Sequence, residues 1–143
     1  MTIGRVIGGA ILALALLAGC GSETARSSDA ALSGDDALAA RSVEAGSVTV
    51  TATPSRIDDD GATVDIVLDT HAVELDTDLE DTTVLKVDGV TWPVAGWTGD
   101  GPGGHHRTGK LQFDSAGPAT GSAHLSIAGL PQPVEIRWDL DED

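Results

Sequence analysis

The chain has 143 residues, 41% of them hydrophobic, and its 23 acidic against 8 basic side chains give a formal net charge of −15. That length holds one domain with a real core but not two, and the charge excludes nucleic acid as a partner held through a broad basic face. A charged partner is expected to be a cation, and with Cys20 as the single cysteine no intramolecular disulfide can form.

Residues 1–19 have the layout of a secretory signal peptide: Arg5, then an apolar run from Val6 through Ala18 interrupted by Gly8 and Gly9. The run is too short for a comfortable membrane span. Its ending, Leu17-Ala18-Gly19-Cys20, resembles the lipobox of prokaryotic lipoproteins. The resemblance implies cleavage before Cys20 and lipid attachment to its thiol. Two or three acyl chains, at about 0.8 kcal/mol per buried methylene, anchor a protein where one holds it only reversibly. The expected location is therefore outside the cytoplasm, with the protein joined to the membrane through its lipid anchor.

Residues 20–45 are rich in Gly, Ser, Ala and charged side chains, and read as a flexible linker that gives reach. Asp36 to Val43 has the composition of a helical turn or two, which is marginal in isolation.

Residues 46–143 change to period two. Val48 to Thr53 alternates apolar residues with threonine and is expected to stop at Pro54; Asp58-Asp59-Asp60-Gly61 is a turn. In Thr63 to His71, Val64, Ile66 and Leu68 share one face while Asp65, Asp69 and His71 share the other. A crossing follows, with a short helical turn around Leu79. Thr83–Val87 and Val90–Val94 flank Asp88-Gly89, the signal for a type I′ hairpin, and Pro93 makes the second of these strands an edge or ends it. The longest loop is expected from about Gly96 to His106. Further strands follow at Arg107–Phe113, Gly121–Ala128 and Val134–Leu140. Seven or so short strands at this spacing predict an all-β fold, an immunoglobulin-like antiparallel β-sandwich, without the Cys…Trp…Cys pattern of true immunoglobulin domains.

Chemistry is expected around Pro102-Gly103-Gly104-His105-His106-Arg107, where two of the four histidines adjoin. If the end of the second strand meets this loop, His71, His105 and His106 with Asp69 or Asp100 form a candidate site for a divalent transition metal, Cu or Zn. Against this, neighbouring side chains of an extended segment point opposite ways, so one histidine would bond loop backbone and the other face water. His124 lies on the polar face of its strand. The acidic clusters at Asp58–Asp60 and Asp76–Asp81 match no calcium loop and read as solvated turns. Trp138 is expected in the core, and Trp97 over the glycine loop or lining a shallow pocket. No nucleophile elbow or comparable arrangement is present, so an enzyme is not expected.

Three segments, Leu68-Asp69-Thr70-His71-Ala72-Val73-Glu74-Leu75, Gly103 to Phe113, and Ile136-Arg137-Trp138-Asp139-Leu140, resemble a group of uncharacterised secreted or lipid-anchored prokaryotic proteins. Ala72 and Glu74 depart mildly from that group's pattern, which has Ser and Asp there. The resemblance implies a shared fold unit and no activity. The functional expectation is a lipid-anchored extracytoplasmic binding or interaction module, with a divalent cation as one ligand and a protein partner of unspecified identity. The alternative is a structural or accessory cell-envelope lipoprotein without a metal site.

Overall fold

A computed structural model describes residues 38–141. Cys20, the expected signal peptide and most of the expected linker lie outside the described residues. Nine strands and one helical turn follow in order: β1 (Arg41–Ala45), β2 (Val48–Asp58), β3 (Gly61–Thr70), α1 (Leu79–Thr82), β4 (Thr83–Val87), β5 (Val90–Trp92), β6 (Val94–Gly99), β7 (His106–Asp114), β8 (Ser122–Ile127) and β9 (Val134–Asp139). They form two antiparallel sheets, ordered β1-β2-β3-β7-β6 and β5-β4-β8-β9.

With β1 set aside, β2-β3-β7-β6 take the places of strands A, B, E and D of an immunoglobulin-like sandwich, and β4-β8-β9 those of C, F and G. β5 is the added neighbour of C found in variable-type sheets. The expected sandwich is therefore present, with two strands more than the seven anticipated.

Measured against the seven strands predicted from the sequence, the two unforeseen ones are β1 and β6. Residues 41–45, assigned to the linker, pair with β2 from Arg41↔Ala52 to Ala45↔Val48, so the folded domain begins before residue 46 and no helix forms over residues 41–43. β6 occupies most of what reads as the start of the glycine loop, which shrinks to residues 100–105. Pro93 ends β5 at Trp92 and starts the crossing to β6 in the opposite sheet. Pro54 does not end its strand, because β1 pairs only as far as Ala52. On that open side a missing N–H breaks no ladder, and β2 continues to Asp58 with a register shift between Pro54 and Arg56.

Alternation puts Val48, Val50, Ala52, Val64, Ile66 and Leu68 of one sheet against Leu85, Val87, Leu125, Ile127, Ile136 and Trp138 of the other, all buried. The β4–β5 turn has positive φ at both central residues, 48° at Asp88 and 80° at Gly89, as a type I′ turn requires. The chain enters the fold under Trp138, whose Nε1–H donates to the Ala39 carbonyl at 2.8 Å. Replacing Trp138 by phenylalanine removes that bond and leaves a void in the core. Urea denaturation should show a loss of about 2 kcal/mol, with the fold retained.

Candidate functional site

The loops between β3 and α1 and between β6 and β7 meet at one end of the sandwich, and the side chain that joins them is Arg107. On β7 the inward slots are Arg107, Gly109, Leu111 and Phe113, because Leu68↔Arg107 and Val64↔Leu111 share the core face of the β3–β7 ladder. Arg107 is 2% exposed. Its Nη1 donates to the carbonyls of Leu75 (3.1 Å) and Thr77 (2.7 Å), and its Nη2 to that of Asp100 (3.3 Å). Its Nε has no partner. The guanidinium carbon lies 5.5 Å from the centre of the Trp97 ring, a cation–π distance.

Trp97 can lie there because Gly109 has no side chain: a Cβ at that position would fall 2.5 Å from the indole. Trp97 is fixed further by Nε1–H donating to the Asp100 carbonyl (2.9 Å) and by its backbone N–H donating to Glu80 Oε1 (2.7 Å). With Arg107, Leu79 and Pro102 it lines a cleft of about 120 Å³, so it both covers the loop and bounds a shallow pocket.

Backbone hydrogen bonds then zip the loops together. Thr70 N–H donates to the His105 carbonyl and Leu75 N–H to that of Gly104, both at 2.9 Å; Gly103 N–H donates to the Leu75 carbonyl at 2.8 Å. Gly103 and Gly104 have φ of 112° and 74°, which glycine adopts without the penalty other residues incur. The Glu74 carboxylate accepts from Gly104 N–H at 2.9 Å and lies 3.5 Å from His105 Nε2. Asp100 Oδ2 accepts from Thr108 N–H at 2.9 Å.

The two histidines therefore have different partners. His106 is opposite Asp69 in the β3–β7 ladder, both on the outer face, and its Nδ1 lies 2.5 Å from Asp69 Oδ1. His105 turns to Glu74. His71 is exposed just past β3 and makes no hydrogen bond or ion pair with a described residue. Among the described residues no three His, Cys, Asp or Glu side chains gather closely enough to hold a metal ion. Of the anticipated set His71, His105, His106 and Asp69, only Asp69 and His106 are brought together.

Elsewhere, His124 pairs with Glu135 on the neighbouring strand. In the acidic clusters, Asp58 accepts from Asp60 N–H within the β2–β3 turn, Asp59 accepts from Ala119 N–H of the β7–β8 loop, and Asp78 caps α1 by accepting from the N–H groups of Glu80 and Asp81.

The chain matches no protein-family model, no curated protein and no solved structure. The likeness of its histidine motifs to a group of secreted prokaryotic proteins thus stands on the sequence alone.

Two outcomes follow from this geometry. Arg107→Ala leaves the Thr77 carbonyl without its donor, removes one of the two donors held by the Leu75 and Asp100 carbonyls, and opens a cavity under Trp97; the unsatisfied group and the cavity together should cost about 3 kcal/mol by denaturant titration. The second concerns His106, whose pKa is raised above the ordinary imidazole value by the hydrogen bond to Asp69 and then by the charges of Asp69 and Asp100. A raised folded-state pKa means that the contact stabilises fully below the unfolded value of about 6.5 and that this contribution is lost as pH rises through the folded pKa. In an NMR titration His106 should titrate above 6.5, and Asp69→Asn should bring it back toward that value.

Proposed function

We propose that the protein is a lipid-anchored, extracytoplasmic binding module: Cys20 carries the anchor, the linker provides reach, and the clamped loop end of the sandwich presents His105 and His106 to a ligand. The observation that carries the proposal is the Arg107 clamp. Binding loops on a sandwich work when a rigid scaffold fixes them, and here a buried side chain of β7 holds both loops by their carbonyls. The result is an exposed loop end that carries two separate carboxylate–imidazole pairs, Asp69–His106 and Glu74–His105.

A transition metal is one ligand of this kind. Asp69 at Nδ1 leaves Nε2 of His106 for coordination, the arrangement in which a carboxylate orients a metal-bound imidazole. A full Cu or Zn set would also need His105 released from Glu74 and His71 brought over. The binding-module reading accordingly does not depend on a resident metal. An accessory envelope lipoprotein is the alternative, and in it the same loops are only structural.

Two measurements test the proposal. Cys20→Ala should abolish incorporation of labelled fatty acid and release the chain from the membrane fraction; retention with unchanged labelling would remove the anchor from the account. Calorimetric titration of the full chain with Cu²⁺ and Zn²⁺ tests the metal form: binding tighter than about 100 μM that His106→Ala weakens at least about tenfold supports it, and no binding in that range excludes it.

A further inference from the structure

The cleft beside the Arg107 clamp is lined by none of the histidines. It measures about 120 Å³ and is bounded by Trp97, Leu79 and Pro102, with Arg107, Asp78 and Glu80 as its polar groups. An engineered apolar cavity of about 150 Å³ takes one benzene molecule, so this cleft takes a group of roughly four to six heavy atoms. Its walls make three different demands on that group. The indole, Leu79 and Pro102 favour an apolar end. Arg107 favours an oxygen acceptor, because three of its five N–H donors have carbonyl partners and Nε has none among the described residues. Asp78 and Glu80 favour hydrogen-bond donors. One oxygen of Glu80 accepts from Trp97 N–H, and one of Asp78 from the N–H groups of Glu80 and Asp81. The second oxygen of each carboxylate has no partner among the described residues, and both side chains are exposed.

These demands exclude most small ligands. A carboxylate, phosphate or sulfate is repelled by the two acids, a cation meets the guanidinium, and a hydrocarbon leaves every polar group of the cleft unused. A secondary amide meets all three: its carbonyl oxygen turns to Arg107, its N–H to a free carboxylate oxygen, and a methyl on the carbonyl packs against the indole. An acetamido group has that composition and that size. The rim then selects what carries it. Two exposed carboxylates, each with a free oxygen, accept hydroxyl donors, which a sugar ring supplies around its acetamido substituent. The aliphatic stem of an acetylated lysine supplies none.

We infer that this cleft binds an N-acetylated amino sugar, with the acetamido group seated among Trp97, Leu79 and Pro102 and the ring hydroxyls on Asp78 and Glu80. The side chain that clamps the two loops then also orients the ligand, because the acetamido carbonyl turns to the Arg107 guanidinium. A site that buries so few atoms holds a single sugar with a Kd of about 1 mM. The inference rests on the reading of the loop end as a binding surface, and uses neither its histidines nor a metal.

The test is an NMR titration of the purified full chain with N-acetylglucosamine, read at the indole N–H signals. The Trp97 signal should shift, while those of the buried Trp92 and Trp138 stay in place. Glucosamine and glucose, which lack the acetyl group, should bind at least about tenfold more weakly. E80Q and D78N keep the oxygen that holds Trp97 N–H or caps α1 and put an amide donor in place of the free one. Each should weaken the sugar at least about threefold, with the melting temperature unchanged. His106→Ala should leave sugar affinity as it was. The inference is overturned by absence of a Trp97 shift at about 50 mM sugar, by equal binding of glucose, by tighter binding of Nε-acetyl-lysine, or by unaltered affinity in both carboxylate variants. Copper or zinc binding that His106→Ala weakens, in a chain that binds no sugar, overturns this inference alone and leaves the loop end a binding surface.

Discussion

The guanidinium of Arg107 is the group on which the loop end of this sandwich depends. A cation taken out of water is costly unless its donors are satisfied, and among the described residues no carboxylate forms an ion pair with this one. Its charge is instead balanced by the carbonyl dipoles of Leu75, Thr77 and Asp100 and by the face of Trp97. Those carbonyls belong to two loops far apart in sequence. A single planar group with donors on several sides can hold both at once, which an ammonium on a flexible stem does less well. The outward position of His106 follows, because Arg107 is the next residue along β7 and points inward.

The sequence shows most of this architecture where period two is strong. Val64, Ile66 and Leu68, or Ala123, Leu125 and Ile127, leave little doubt about which face is buried, and Asp88-Gly89 defines its hairpin. β1 escapes because only Ala45 of its five residues is buried, so alternation has almost nothing to register. β6 escapes because Val-Ala-Gly-Trp-Thr-Gly is an edge segment of small residues whose one large side chain lies over a glycine on the neighbouring strand. Pro54 misleads for a related reason: a proline stops a ladder only on the side where a partner is waiting, and β1 has already ended.

The site is legible only in part. That adjacent histidines diverge follows from extended backbone, and they do diverge, to Asp69 and to Glu74. Which carboxylates they find depends on β3 pairing with β7 at a given register, a long-range fact that no local pattern carries. Arg107 did leave a signal: the residues two, four and six positions on are Gly109, Leu111 and Phe113, so an arginine stands in the inward series. An arginine in such a slot implies that backbone carbonyls or acids lie over that end of the core, even before the loops that supply them are identified.

Net charge is a poor guide to what individual surfaces of this protein can meet. Many of its carboxylates act as local hydrogen-bond acceptors, capping α1, closing the β2–β3 turn and holding Gly104, Thr108 and Trp97, so part of the acidic excess holds loops in place. At physiological ionic strength the screening length is about 8 Å. A charged group at one face thus responds chiefly to the side chains beside it, and only weakly to acids on the far side of the sandwich. The value of −15 excludes a broad anionic surface such as a duplex, which would span many screening lengths at once. It says little about a contact confined to a few side chains, which falls within one.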